Sequence, residues 1–531
     1  MTEATVVTDR DAFLSTAADA PTGTRVPVEV SLPVDDPFDA YRRARGGDGD
    51  GGAFLETTGG QSGWGYFGVD PIERLTVGPQ ARSRNAPVDG EGSSGRAPTG
   101  DDSPTLAALQ ALLQAEALRR GDCEIPCPCG AIGWLSYDVV RELEDLPGEA
   151  VDDRDLPRFQ AAFFDRLAAW ECPTTEGETT LRITACPAIG GEGDRTDADA
   201  AFDRGQERAL DLVDRIEKGD PDVPTVGDAA GDATFESDCT PETYADRVRA
   251  VKEYVRAGDT FQANVSQRLS APAAVHPVAA YDALRSVNPA PYSALLELPA
   301  ADLVSASPEL LLERDGDRIR TEPIAGTRPR SDDPEADAAL ETELTSDEKE
   351  RAEHAMLVDL ERNDLGKVAA YGTVEVTEYR RVDRYSEVMH LVSLVEGKLR
   401  EGATLADAIA AVFPGGTITG APKPRTMEII DELEGTRRGP YTGSIGIFGF
   451  DGRATLNIVI RTLVRHEDRY DLRVGAGIVH DSVPQREYRE TLDKGRALVN
   501  AVDRALGERA SLAVNGEAID VDALDEGGEQ P

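Results

Sequence analysis

The sequence predicts an α+β fold built on large antiparallel sheets. Three observations lead there. Strand-like stretches outnumber helical ones, above all between residues 239 and 505. Successive strands are joined by tight turns such as Arg314-Asp315-Gly316-Asp317-Arg318. No regular βαβ alternation runs along the chain, so a doubly wound parallel sheet is not expected.

Taken in order, RVPVEVSLPV (25–34) alternates apolar and polar residues as a half-buried strand does. TLAALQALLQAEAL (105–118) has helical spacing, and GAIGWLSYDVVREL (130–143) begins as a glycine-rich strand. RFQAAFFDRLAAWE and TTLRITACPA read as strands. A loop-like acidic segment follows at 191–238, although 201–219 inside it has helical spacing. Beyond it, TPETYADRVRAVKEYVRAGD opens on a Thr240 cap and stops at Gly258. FQANVSQRLSAP, and then the stretch from Ala294 to Ile324, read as strands. DEKERAEHAMLVDLERNDL (347–365) is helical, and SEVMHLVSLVEGKL, PRTMEIIDELEG and REYRETLDKGRALVNAVDRAL read as further helices. GSIGIFGFDGRATLNIVIRTLV and YDLRVGAGIVHD read as strands with hairpin turns. Loops are expected at 46–52 and 81–104, and the organisation is 22–190, an acidic linker 191–238, a main region 239–505 and an acidic tail 506–531.

Composition narrows the function. The 531 residues carry 99 Asp+Glu against 56 Lys+Arg, a formal net charge of -43. Such a balance argues against binding nucleic acid or an anionic membrane surface. A hydrophobic content of 40% still supports a sizeable core. There is no apolar run of transmembrane length and no secretory signal, so a soluble, cytoplasmic protein is expected. Seven of the 56 basic residues are Lys, and the acidic ones are spread along the whole chain. That pattern suggests a surface adapted to high salt, where screening relieves self-repulsion. The six cysteines include GDCEIPCPCG, whose spacing is not that of a zinc ribbon, so free thiols are expected.

No nucleophile elbow, phosphate-binding loop or dinucleotide fingerprint occurs. Four groups of polar residues beside glycines stand out instead. In Pro323–Arg330, the Gly326 N–H and the Thr327 hydroxyl could bind a carboxylate, or the segment is simply a turn ending a strand. Glu350 and Glu353 share a helix face, as do Glu487 and Glu490; facing each other they would make an oxygen-rich Mg²⁺ site, though in so acidic a chain such pairs are usually solvated. His390 is one of five histidines and is either a core residue or a general base. The glycine-rich loop 415–425 leads into a helix N-terminus, and Arg461 and Gly475-Ala476-Gly477 could join it around a small dianion.

These stretches resemble, in order, the motifs of the chorismate-utilising enzymes. The resemblance rests on PIAGTRPR, DEKERAEHAMLVDLERNDLGKV, VMHLVSLVEGKL, FPGGTITGAPKPRTMEIIDELE, GSIGIFGFDG, NIVIRTLV and GAGIVHDSVPQREYRETLDKGRAL. FLETTGGQSGWGYFGVDP (54–71) and GAIGWLSYDVVRELEDLP (130–147) extend it to the N-terminal region of the ammonia-using members. The resemblance implies a sandwich of large antiparallel sheets flanked by helices. It implies a catalytic set of Glu309, His390, Thr417 and Lys494, with Glu309 protonating the leaving 4-hydroxyl and His390 serving later proton movement and pyruvate loss. Substrate contacts fall to Gly326, Thr327, Tyr441, Arg461, Gly475, Ala476 and Gly477. Mg²⁺ would be held by Glu353 and Glu490, supported by Glu350 and Glu487. Ammonia would come from a separate glutamine amidotransferase subunit, because no glutaminase motif is present.

Within the family, FPGGTITGAPK, GSIGIFGFDG, NPAPYS (288–293) and GDTFQANVSQRL (258–269) look more like the aminodeoxychorismate branch, so 4-amination of chorismate is the expected reaction. Ala325 opposes this, since the folate branch typically has there a lysine that attacks C2; without it, ammonia entering at C2 leads toward anthranilate. A chorismate-binding subunit without turnover is the alternative from another class. The tryptophan-type regulatory pocket of the anthranilate enzymes would include Glu56, Thr57, Pro291, Tyr292 and Ser293, with Thr57 and Ser293 departing from the usual pattern and weakening the case for feedback.

Overall fold

Alternation along single strands sorts the core into layers. In the strand Gly130–Leu135, Ile132 and Trp134 point to one side while Ala131 and Leu135 point to the other. In Tyr292–Glu297, Ala294 and Leu296 share the side of Ile132 and Trp134, and Leu295 faces away. The shared side is the space between two sheets. The computed structural model describes residues 4–46, 52–81, 99–174, 179–190, 195–223, 234–331, 333–384, 388–506, 513–514 and 517–518.

Among these residues, one sheet has thirteen strands and the other ten, and every pairing between named strands is antiparallel. Both sheets draw on both sides of the acidic segment. Gly52–Glu56 pairs with Tyr292–Glu297, and Gly130–Leu135 pairs with Ser444–Gly449. Helices cover the outer faces. Pro37–Arg45, Arg195–Lys218, Pro241–Ala257, Pro277–Val287 and Pro484–Leu506 close one side, through residues such as Tyr41, Leu212, Val248, Tyr281 and Leu498. Pro104–Ala115, Glu348–Gly366 and Leu405–Val412 close the other, through Leu106, Val358 and Ile409. This is the α+β sandwich with helical flanks that the sequence predicts.

Local chemistry fixes the ends of these elements. The Thr240 hydroxyl accepts from the Thr243 N–H, and Gly258 ends the helix at φ 84°, a left-handed value that glycine adopts without strain. The 201–219 periodicity is realised in the helix Arg195–Lys218, whereas 47–51, 82–98, 191–194, 224–233 and most of the acidic tail beyond 506 lie outside the described residues.

One element differs in kind from expectation. Val388–Lys398, expected as a helix, is a strand between Arg318–Thr321, Ile324–Pro329 and Glu375–Arg384. It is apolar on both faces, so the two-residue alternation that marks a half-buried strand is erased. Its β-branched Val388, Val392 and Val395 favour the extended state. Met389 and Leu391 pack with Leu344 of the helix Pro334–Ser346, which turns His390 to the opposite face. Among the described residues no helix is long and apolar enough to cross a membrane.

Candidate active site

A cavity of about 400 Å³ opens where the edges of both sheets meet two helices. Gln262–Pro272 and Arg469–Ile478 supply one wall, and Ile324–Pro329 and Val388–Lys398 the other. Glu348–Gly366 and Pro484–Leu506 bring carboxylates to it. Of the expected catalytic, substrate and metal residues, all but Ala476 line this cavity.

Register explains the exception. Asn264 pairs with Gly477 and Ser266 with Gly475, so these glycines face the cavity, while Ala476, paired with Val265, turns into the core on the helical side. Ala476 is therefore the one expected site residue whose side chain lies in the core and not at the cavity. A β-carbon at Gly475 would lie 2.6 Å from Asn264 Oδ1 and 2.7 Å from the Tyr441 hydroxyl, so only glycine leaves this floor open.

Glu309 is the buried acid of the site. The Thr417 hydroxyl donates to its Oε1 at 2.7 Å. Burial raises its carboxyl to about 8, against the lowering effect of the Thr417 hydrogen bond and of Arg461. It is thus protonated at neutral pH and can give a proton away.

His390 is held in the opposite sense. A bulge between Ala325 and Thr327 puts Gly326 at φ 71° and brings its carbonyl to 3.2 Å from Nδ1 of His390. The Thr327 hydroxyl lies 3.0 Å from the same nitrogen. A carbonyl only accepts, so Nδ1 carries the hydrogen and Nε2 the basic lone pair. Burial, with help from Arg461, lowers the imidazole to about 4, so it is a neutral base at pH 7. Thr327 is committed to this imidazole as well as facing the cavity. His354, by contrast, is a core histidine whose Nε2 meets the Ser393 hydroxyl at 2.7 Å.

Four carboxylates stand at the mouth. Glu353 accepts from Gln262 Nε2 at 3.2 Å, and it is raised above the usual carboxylate range by burial and then by Glu350. Burial also raises Glu487, and Glu490 adds to it. Arg328 pairs with Glu350 at 3.2 Å and Lys494 with Glu490 at 2.7 Å. Among the described residues no three acidic, histidine or cysteine side chains close tightly enough to enclose an ion. Carboxylates that oppose one another's ionisation, in an open all-oxygen set, suit Mg²⁺, which keeps several of its waters. The residues present fit that ion.

The floor holds positive charge. Arg461 lines the cavity at φ 50°, a left-handed backbone that is uncommon outside glycine. Arg473 lines it too, and its charge is shared with buried Glu434, which also pairs with Arg438. Lys494 donates to the Gly475 carbonyl at 3.0 Å. The glycine-rich loop contributes Thr417 and Ile418, but the N-terminus of Lys423–Leu433 does not reach the cavity: Lys423 is buried against Asp364 and the Val412 carbonyl. Gln262, Asn264 and Arg473 were not anticipated. The first two alternate with Ala263 and Val265 at the start of their strand, and that polar alternation is the signal that could have found them.

A second cavity of about 550 Å³ lies between the sheets, sharing Pro308 and Ile324 with the first. Glu56, Thr57, Pro291, Tyr292 and Ser293 all line it. The Glu56 carboxylate accepts from the Tyr281 hydroxyl at 2.8 Å and from Arg285, and the Tyr292 hydroxyl donates to Glu322 at 3.0 Å. All six cysteines are free thiols.

Comparison with known proteins agrees with this geometry. A family model described as chorismate binding enzyme matches residues 59–500. A protein of Haloarcula marismortui named anthranilate synthase component 1 is 66% identical over 96% of this chain and 99% of its own length. A Bacillus subtilis protein named aminodeoxychorismate synthase component 1 is 44% identical over 70% of this chain and 77% of its own. The crystal structure of anthranilate synthase component I from Streptococcus pneumoniae superposes with a TM-score of 0.66 at 29% identity, covering 82% of this chain and 92% of that one. The expectation of 4-amination is overturned by the Haloarcula marismortui protein, whose 66% identity runs over nearly the full chain. Of the stretches that suggested it, NPAPYS and GSIGIFGFDG do not line this cavity, whereas Ala325 does.

Proposed function

The chain belongs to the chorismate-binding enzymes, and we propose that within that family it is the ammonia-using component I of an anthranilate synthase, converting chorismate and ammonia to anthranilate, pyruvate and water. The observation that carries this reading is Ala325. It lines the cavity between Ile324 and Gly326, at the position where the folate branch has the lysine that attacks C2 before ammonia does. With no amine there, ammonia itself enters at C2.

The residues divide the work by their protonation. As nitrogen bonds to C2, the ring double bond shifts and the C4–O bond breaks; Glu309 gives its proton to the departing hydroxide, which leaves as water. His390, neutral and basic at Nε2, then takes the proton from C2, the C3–O bond breaks as the ring becomes aromatic, and the departing enolpyruvate takes up that proton at its methylene carbon to leave as pyruvate. Arg461 and the peptide groups around Gly326, Gly475 and Gly477 orient the carboxylates. Glu353 and Glu490, backed by Glu350 and Glu487, would hold Mg²⁺, which when bound neutralises the ring carboxylate and acts as a Lewis acid. A separate glutamine amidotransferase subunit supplies the ammonia. The inter-sheet cavity would be the regulatory pocket, with tryptophan feedback weakened by Thr57 and Ser293.

Product identification tests the reading. The full chain is mixed with chorismate, Mg²⁺ and ammonium, with and without aminodeoxychorismate lyase. Anthranilate fluorescence without the lyase is expected. Formation of 4-aminobenzoate only with the lyase would overturn the proposal, and no loss of chorismate would make the chain a binding subunit.

A further inference from the structure

Behind the cavity wall, the helix Glu348–Gly366 turns one carboxyl into the protein. Glu361 is 5% exposed and does not line the cavity, so it touches no substrate. It accepts from the Gly416 N–H at 3.3 Å. The loop is pressed on the helix here, since a β-carbon on Gly416 would come within 2.5 Å of Leu360 Cδ2. The next residue, Thr417, is the one whose hydroxyl holds Glu309. A single peptide unit thus joins Glu361 to the acid.

The charges around this pair are unequal. Asp364 meets two ammonium groups, Lys423 and Lys367. Glu361 feels Lys423 and Asp364, and its own charge acts on Glu309. Glu309 faces Thr417, Glu361 and Arg461.

We propose that Glu361 is a positioning residue for the acid step: it pins the Gly416–Thr417 turn so that Thr417 aims one oxygen of Glu309, and it places a second carboxyl beside the acid. Two neighbouring buried carboxyls resist ionising together, so the Glu309 proton persists to higher pH than burial alone would hold it. This deepens the anthranilate synthase reading and rests on it for the role of Glu309.

Two substitutions separate the pin from the charge. Glu361→Ala removes the acceptor, and kcat is expected to fall about tenfold to a hundredfold with a smaller change in KM for chorismate. Glu361→Gln keeps an acceptor for Gly416 and loses the charge. It should restore kcat at low pH while moving the alkaline limb to lower pH by about half a unit or more. Superimposed profiles for Glu361→Gln and the unaltered enzyme, or a rise in KM alone for Glu361→Ala, would overturn the proposal. Infrared titration of the protonated Glu309 band, assigned by its loss in Glu309→Gln, reads the same shift without turnover. An unchanged midpoint in Glu361→Gln counts against Glu361 whatever the product is. An unaltered chain that makes no anthranilate counts against the function, and the infrared arm still decides on Glu361.

Discussion

The Thr417 hydroxyl reaches Oε1 of Glu309 at 2.7 Å from a loop 108 residues further along the chain. One residue comes from the end of a strand and the other from the glycine-rich loop, so the acid exists only in the folded protein. Its proton makes activity depend on pH in a definite direction. The acid must be protonated, so kcat should fall as pH rises through about 8. The base must be neutral, so kcat should fall as pH drops through about 4. Glu309→Gln should lose about 10²–10⁴-fold in kcat and the alkaline limb with it. Steady-state anthranilate fluorescence across pH measures both, and an alkaline limb that survives in the variant would remove Glu309 from the acid role.

The mouth carboxylates give a second test. The side chain of Glu490 is half exposed and pairs with Lys494, so its loss should barely affect folding. Glu490→Gln should nevertheless lower Mg²⁺-dependent turnover about tenfold or more, and excess Mg²⁺ should recover part of it. Circular dichroism checks the fold in parallel. Full activity at limiting Mg²⁺ would remove Glu490 from the metal set.

Much of this site is legible in the sequence because its chemistry sits in short ordered motifs. The i, i+3 spacing of Glu350 with Glu353 and of Glu487 with Glu490 needs only helices to be read. His390 lines the cavity with the other expected site residues, but from a strand instead of the expected helix, because burial on both faces hides a strand's period. Ala476 stands apart from Gly475 and Gly477 because a three-residue motif does not say which of its side chains a pleat turns inward. The product branch is misread for a related reason. The stretches that suggested 4-amination lie partly outside the cavity, while Ala325, the one residue that opposed it, lines the cavity.

The floor of the cavity predicts a steric effect. Gly475→Ala would put a methyl group against Asn264 Oδ1 and the Tyr441 hydroxyl. Overpacking of this kind costs about 1–3 kcal/mol, and here it also narrows the substrate space. KM for chorismate should rise and the melting temperature should fall. Gly366→Ala is the control: it lies at an exposed helix end with nothing within 4 Å, so it should be neutral or stabilising by up to ~1 kcal/mol. Unaltered KM and melting temperature in Gly475→Ala would mean that the strand shifts freely there.

Salt dependence follows from how the few positive charges are used. Arg328 reaches Glu343, Asp347 and Glu350, and Arg381 reaches Glu322, Glu378 and Asp383. One guanidinium has five donors in a fork and can serve several carboxylates, which an ammonium does less well, and this gives a physical reason for seven Lys among 56 basic residues. Even so, a net charge of -43 leaves 43 of the 99 acidic side chains without a compensating positive charge. At 1 M salt the screening length is about 3 Å, shorter than the spacing of most surface carboxylates, so their repulsion is nearly removed. Urea unfolding should therefore show stability rising steeply with KCl from low concentration into the molar range. The rise should be shallower in a variant with exposed Glu73, Glu335 and Glu401 changed to Gln, since fewer charges then need screening. Stability that falls with added KCl would defeat the high-salt reading of the composition.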